Sequence, residues 1–503
     1  MKNSKLLITQ YTKAIDKINA TLGGDIVLYT NNVLSKSPYA GDAFLTLVSK
    51  TTPKPVSVFH RAWLLIKYFG KSTIFLFLWI SKKMVFNLAS NHVPINVNNL
   101  HIVDIFTLSQ NIADSEKFDD RYLSDLVLTL EKHRVNFVYL TCFYKDGYNP
   151  FVWYKVYKIL NHSNYKFITE FDLLTWKDMI GMCIFVIKYP FSLINLIGRH
   201  KVDNEIDRVL HYSLNLSLKD YTITAFIRYL IGKNLAQKYP NAKLLSYCEF
   251  QVIDRTLYKG IKDFSDDIKI YAYQQFVKYP AFMNMYISEQ EVNDVIPDKI
   301  IVNGDFYIPG NTNYNYMSLS IRSKKIFDIK MNSNADTTLV LLPYFPKEAK
   351  CILELISNSF ISDSNLIIKP HPTLNSKVYD NFIQPHWRIV GGDIYQFLKD
   401  AKIVITSSSG TAIEAVSVGI SVIVAGSPSD AIPIDPLINL GRGAIWDKVN
   451  NSNKLSVVYK QLVQQRVDNP DKIKYFSHKY MNLFFTKPTE EKILDSFDFD
   501  KYP

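Results

Sequence analysis

The segment Ile403-Val404-Ile405-Thr406-Ser407-Ser408-Ser409-Gly410-Thr411-Ala412-Ile413-Glu414-Ala415 constrains the fold more than any other part of the chain. Four β-branched residues in a row read as a buried strand, and the three serines and glycine that follow stop it. A helix-length segment begins at once at Thr411, and Gly419 returns the chain to a second apolar run, 421–425. Strand, helix and strand in so short a stretch form a βαβ unit, which demands parallel strands with a helix packed across them.

The same alternation surrounds this unit. Strand candidates at 338–342, 364–369, 387–390, 402–406 and 421–425 are separated by helix candidates at 347–359, 393–400 and 411–418. Upstream, 25–29, 100–106, 137–143, 243–248, 268–273 and 299–302 are short apolar runs ending in polar or glycine-rich turns. Helix-like segments such as 120–132 and 225–238 lie between them. Glycine, proline and asparagine accumulate from 303 to 336, which reads as an interdomain connection. The fold class expected is α/β, with two Rossmann-like domains facing across a cleft. An N-terminal domain is expected over 1–310, with helical insertions around 60–90 and 175–235, and a Rossmann-like domain over 311–475. A tail over 476–503 is expected to pack back toward the first domain.

Composition removes several alternatives. With 503 residues the chain is too long for a small stapled scaffold, and Cys142, Cys183, Cys248 and Cys351 lie too far apart for a zinc or disulfide framework. A net charge of +11 favours anionic partners. The basic residues are scattered rather than grouped in a recognition motif, which disfavours nucleic acid. No GxGxxG and no P-loop lysine appear, so neither a nicotinamide cofactor nor a Walker site is indicated.

Two segments bear on membranes. The first, 62–87, is apolar and aromatic but broken by Lys67, Gly70, Lys71, Lys82 and Lys83, and reads as too interrupted to span. The second, 179–198, is long enough, yet carries Lys188 and Pro190 at its centre, so a buried or groove-lining helix is expected, with a surface-dipping one as the alternative. The N-terminus lacks a sustained apolar run and a cleavage site, which points to the cytoplasm, with peripheral contact at the inner face of the plasma membrane.

The serine turn is a candidate phosphate site, because Ser407, Ser408, Ser409, Gly410 and Thr411 place hydroxyls and free N–H groups at the end of a strand. A second element, Lys369-Pro370-His371-Pro372, ends another strand of the same domain, with both prolines restraining the histidine. Together the two resemble the C-terminal domain of GT-B glycosyltransferases that use CMP-activated acidic sugars, the bacterial sialyltransferases and the Kdo transferases of capsule and lipopolysaccharide synthesis. The resemblance covers about residues 338 to 426. It implies that His371, Pro372 and Ser407 to Ser409 hold the CMP moiety of the donor; Lys369, Gly410, Thr411 and Glu414 beside them are further nucleotide-binding candidates. It further implies transfer to a surface glycan acceptor, lipid-linked, with no cofactor beyond the CMP-sugar co-substrate and no metal. Related elements occur in CDP-glycerol polymerases of teichoic acid synthesis, so a CDP-alditol phosphotransferase remains open, as does a non-catalytic sugar-nucleotide-binding protein of a polysaccharide assembly complex.

Two departures narrow this. Retaining enzymes that use UDP- or GDP-sugars often carry glutamates eight positions apart here, and position 406 is threonine where Glu414 would need its partner. Asp498-Phe499-Asp500 is the one Asp-x-Asp of metal-dependent type and reads as solvated tail. The acceptor hydroxyl needs a base from the first domain. Glu249, just after the strand candidate 243–248, is the choice, with Asp254 the next candidate and Asp25 an outside one. Gln251, Asp254 and Gln274, with Gln275 beside it, are candidates for sugar and acceptor contacts.

Overall fold

Runs such as Thr338-Leu339-Val340-Leu341 and Ser421-Val422-Ile423-Val424 are apolar on both faces, and both are buried from end to end. That is the pattern of parallel strands covered by helices on both sides. The computed structural model describes residues 2–37, 55–90, 95–120, 122–143, 149–220, 222–277, 283–285, 287, 295–310, 312–343, 346–359, 361, 365–371, 382–426 and 436–499. Thirteen strands among them fall into two sheets.

The first sheet holds β1 (His101–Thr107), β2 (Phe137–Phe143), β3 (Phe167–Ile168), β4 (Lys243–Tyr247), β5 (Lys269–Gln274), β6 (Lys299–Val302) and β7 (Tyr316–Ser318). Its order is β3-β2-β1-β4-β5-β6-β7, every pair parallel. The second holds β8 (Thr337–Leu341), β9 (Leu366–Lys369), β10 (Arg388–Ile389), β11 (Ala401–Thr406), β12 (Ser421–Ala425) and β13 (Trp446–Val449). Its order is β10-β9-β8-β11-β12-β13, again all parallel. Each sheet winds one way from its first strand and then reverses, so switch points lie between β1 and β4 and between β8 and β11. Two doubly wound sheets in tandem are the α/β, GT-B arrangement expected.

Eight helices matter below: α1 (Val58–Ala89), α2 (Trp176–Arg199), α3 (Ile223–Lys238), α4 (Val252–Lys262), α5 (Pro346–Ser357), α6 (Thr411–Ser417), α7 (Pro470–Phe484) and α8 (Glu490–Ser496). α3 and α4 cross backbone to backbone through two glycines. A Cβ on Gly232 would lie 2.2 Å from the Leu257 carbonyl oxygen, and one on Gly260 would lie 2.1 Å from that of Tyr229. This close approach seats α4, and with it the loop after β4.

Several expectations need correction. The run at 25–29 is helical from Ile26 to Tyr29, with the Asp25 carboxylate accepting from the Val27 N–H at 2.9 Å. Asp25 is thus a helix cap rather than the end of a strand. The connection at 303–336 contributes β7 to the first sheet, past the boundary expected at 310. α1 runs unbroken through Gly70 and its lysines, and α2 runs through Pro190. Asp498 is exposed, as expected of a tail, but it is anchored to the first sheet. Its carboxylate accepts from the Tyr271 hydroxyl at 2.9 Å and from Lys299 Nζ at 2.7 Å, and Phe499 is buried. Asp500 lies outside the described residues. After α7 the chain joins the first domain, where the Thr486 N–H donates to the Asn303 carbonyl and the Ser320 N–H to that of Thr486, both at 2.9 Å.

Candidate active site

The carboxyl ends of the central strands of the two sheets meet. A Cβ added at Gly410, in the turn after β11, would lie 2.8 Å from Val277 Cγ2, in the loop after β5. Glycine is what allows that approach. Across the same junction the Ser323 hydroxyl donates to Glu414 Oε1 at 3.0 Å, and the Tyr395 hydroxyl donates to the same oxygen at 3.1 Å. Burial pushes the Glu414 carboxyl up in pKa, against these two hydroxyls and the Arg322 charge, which favour its ionised form.

Arg322 precedes Ser323 in the chain but faces the first sheet. Its Nη1 donates to the Tyr247 hydroxyl at 3.1 Å and to the Gln275 carbonyl at 3.4 Å, and its guanidinium lies 5.1 Å from the Tyr122 ring centre. Tyr247 in turn donates to Glu249 Oε1 at 3.1 Å. Glu249, Tyr247, Arg322 and Glu414 therefore form one charged constellation spanning both domains. The sequence reading identified the two glutamates and missed the tyrosine and arginine between them.

Glu249 is half-buried on a loop held from several sides. Gln251 Nε2 donates to its Oε2 at 2.6 Å, and Asn284 Nδ2 donates to its carbonyl at 2.5 Å. Asp254, at the third position of α4, accepts from the N–H groups of Glu249 and Gln251, each at 3.0 Å. Phe250 between them has φ +52°, a left-handed conformation that a bulky residue adopts only when its surroundings impose it. Asp254 is fully buried, and burial raises its pKa to about 7. Its bonds to the backbone make it a clamp for the Glu249 loop rather than the direct sugar contact expected, while Gln251 acts on Glu249 itself.

Gln274 ends β5 and is 1% exposed, and neither atom of its side-chain amide has a hydrogen-bond partner among the described residues. Asn284 Oδ1 and Gln275 Oε1 are also buried without one. Such groups cost about 1–3 kcal/mol each when left unpaired, which sets this end of the sheet apart from the apolar core around it. Beneath it, Asp104 on β1 accepts twice from Arg228 Nη2, at 2.9 and 2.7 Å, and from the Ser246 hydroxyl at 2.8 Å. An aspartate inside the apolar run His101-Ile102-Val103-Asp104-Ile105 was the sequence signal for that network.

On the second domain the Ser407 and Ser408 hydroxyls both donate to Glu348 Oε2, at 2.8 and 2.7 Å. Glu348 belongs to the first turn of α5, after β8. Ser409 Oγ accepts from the Thr411 N–H at 3.3 Å, a local serine turn just before Gly410, the N-cap of α6, which has no side-chain cap bond. Lys369 is 9% exposed, and burial lowers its pKa. His371 lies half-buried at the exit of β9, and Pro372 lies outside the described residues. Since β8 stands between β9 and β11, the His371 and serine elements are about two strand spacings, roughly 10 Å, apart. They do not converge on one atom, and Glu348 enters from the strand between them. Among the described residues no three histidine, cysteine, aspartate or glutamate side chains group as a metal site.

No known protein family and no curated protein matches the chain. Among solved structures it is similar to the UDP-GlcNAc 2-epimerase from Methanocaldococcus jannaschii, at 12% identity over 80% of this chain and 99% of that one, with a TM-score of 0.41. It is also similar to the wall teichoic acid polymerase TagF, at 8% identity over 86% and 96% of the two chains, with a TM-score of 0.40. The glycotransferase of kitacinnamycin matches at 10% identity over 79% and 98%, with a TM-score of 0.41. The strand orders of the two sheets, rather than these distant likenesses, define the fold.

Proposed function

We propose that the protein is a metal-independent glycosyltransferase that moves an acidic sugar, Kdo or another nonulosonic acid, from a CMP-activated donor to a surface glycan of the capsule or lipopolysaccharide O-antigen type. The observation that carries this reading is the constellation of Glu249, Tyr247, Arg322 and, through Ser323, Glu414, which links a carboxylate at a strand end of one sheet to one on the first helix turn after a strand of the other. In the proposed reaction Ser407 to Thr411 receive the CMP phosphate, and His371 and Lys369, about 10 Å away, meet the nucleoside end. Arg322 faces the negative charge of the donor. Glu249 removes the proton of the acceptor hydroxyl as its oxygen bonds to the anomeric carbon. The bond from that carbon to the phosphate oxygen breaks, and its electron pair leaves with CMP. Gln274 and Asn284 supply unpaired polar atoms for sugar hydroxyls.

A second reading is supported by Glu348, which already occupies the hydroxyls of Ser407 and Ser408. It is a nucleotide-binding protein without turnover. A thermal-shift panel of CMP, CDP, UMP, UDP and GDP, followed by assay of CMP release from CMP-Kdo and from CDP-glycerol, separates these. Ligand at 100 times its dissociation constant adds about 2.7 kcal/mol of stability. Stabilisation by CMP with release from CMP-Kdo is expected. Stronger stabilisation by UDP would remove the CMP assignment, release from CDP-glycerol alone would replace it with alditol phosphate transfer, and binding without release would favour the second reading.

A further inference from the structure

We propose that α1 and α2 form a face of the N-terminal domain that docks into the surface of an anionic lipid bilayer without crossing it. The inference does not depend on which group the protein transfers. Both helices are long and apolar enough to cross a membrane by length and composition. Their exposed apolar side chains are not scattered. On α2, Trp176, Ile180, Ile184, Ile187, Phe191 and Ile194 are exposed at spacings of three and four, which is a single stripe. On α1, Phe59, Trp63, Ile66, Ile74, Phe77 and Met84 form another, with Phe59 at 89% and Phe77 at 69% exposure.

The two stripes lie on neighbouring helices. The rings of Tyr68, about a third of the way along α1, and Tyr189, near the middle of α2, lie 5.5 Å apart, and Lys83, near the end of α1, donates to the carbonyls of Phe171 and Leu174, just before α2 begins. The helices thus run antiparallel. Helices of 32 and 24 residues are about 48 and 36 Å long, so two strips about 10 Å wide expose roughly 800 Å², beyond the few hundred usual for a soluble monomer.

The opposite faces show why neither helix threads a bilayer. Buried residues run the length of each, from Leu64 to Ala89 and from Asp178 to Ile197. Crossing would strip Ser72, Lys83 and Asp178 from the protein and place them in hydrocarbon. A helix packed along one side and apolar along the other lies in the interface plane.

Charge selects the kind of membrane. α1 contains no acidic residue, and Lys67, Lys71, Lys177 and Lys188 are exposed beside the apolar stripes, where their stems extend toward the headgroups. Where α1 starts and α2 ends, Arg61 Nε, His200 Nδ1 and His211 Nδ1 are buried without hydrogen-bond partners among the described residues, and the two imidazoles stack 5.9 Å apart.

The test is flotation of the full chain with vesicles of phosphatidylglycerol and phosphatidylcholine, and with phosphatidylcholine alone. Binding to the anionic vesicles, weakened by salt, is expected. The double variant Phe77→Glu/Ile187→Glu should lose at least about tenfold in partitioning while melting as the wild type does, because both side chains are exposed. Wild-type protein that stays in solution, or a variant that binds equally well, would overturn the proposal. So would resistance to alkaline carbonate, which would mean a span. A dimer broken by the double variant, without vesicle binding, would make a second copy of the chain the occupant.

Discussion

Glu348→Gln is the sharpest probe of the nucleotide site, because the free protein already fills the serine turn with its own carboxylate. Both hydroxyls donate to one oxygen, at 2.8 and 2.7 Å. A phosphate that uses those hydroxyls must detach Glu348 or sit beside it. Two like charges 4 Å apart at an effective dielectric of 20 repel by about 4 kcal/mol, and each hydrogen bond to a charged group that is broken costs about 1.5–3 kcal/mol. The binding ligand meets whichever cost is smaller. Glutamine keeps the size of the side chain and removes the charge, so CMP affinity should rise by about 1.5–4 kcal/mol, roughly ten- to several hundredfold. Isothermal titration at fixed pH and ionic strength measures it, with Glu354→Gln, exposed on the same helix, as the control for net charge. Unchanged or weaker CMP binding by Glu348→Gln, relative to that control, would refute the idea that phosphate and carboxylate compete for the serines.

Three other outcomes are expected. Glu249→Gln keeps shape but not basicity, so turnover should fall about a hundred- to ten-thousandfold with CMP affinity unchanged; turnover near wild type would clear Glu249 of the role. Asp254 has a folded-state pKa of about 7, above its ordinary value of 3.8, so between about pH 4 and 7 the folded protein holds a proton that the unfolded chain has lost. Its contribution to stability therefore falls as pH rises through that window and levels off above it. The difference in urea stability between wild type and Asp254→Asn, followed from pH 4 to 8, should show this slope, and a flat difference would count against it. Gly260→Ala drives a methyl to 2.1 Å from the Tyr229 carbonyl oxygen and should cost about 1–3 kcal/mol or more by urea unfolding. Gly198→Ala, also helical but in open space, should gain about 0.5–1 kcal/mol, and equal effects would refute the packing argument.

What the sequence disclosed was local. The β11 turn and α6 were legible because strand, breaker and helix signals follow one another within a few residues, and β12 was read to the residue for the same reason. The run at 25–29 was misread because four apolar residues carry no period that separates strand from a single helical turn, and only the Asp25 cap decides it. β7 was hidden in an asparagine-rich segment, where its three residues pair with β6 but are too few to show a strand period. The anchoring of the exposed Asp498 was not legible because its partners, Lys299 and Tyr271, lie about two hundred residues upstream.

The candidate site was less legible than the fold for a related reason. Its strand-end members are visible as motifs, but the residues that set their charge are not. Arg322 sits in what reads as a polar connection, and its role exists only where the chain, having left β7, passes the hydroxyl of Tyr247. Ser323, the next residue, bonds to the other domain through Glu414. Two adjacent residues of the connecting segment thus face opposite sheets, and each fixes a carboxylate there, Arg322 through Tyr247 and Ser323 directly. A change in the relative placement of the sheets must act on both carboxylates at once, because the segment that joins the domains is also the one that links their charged groups.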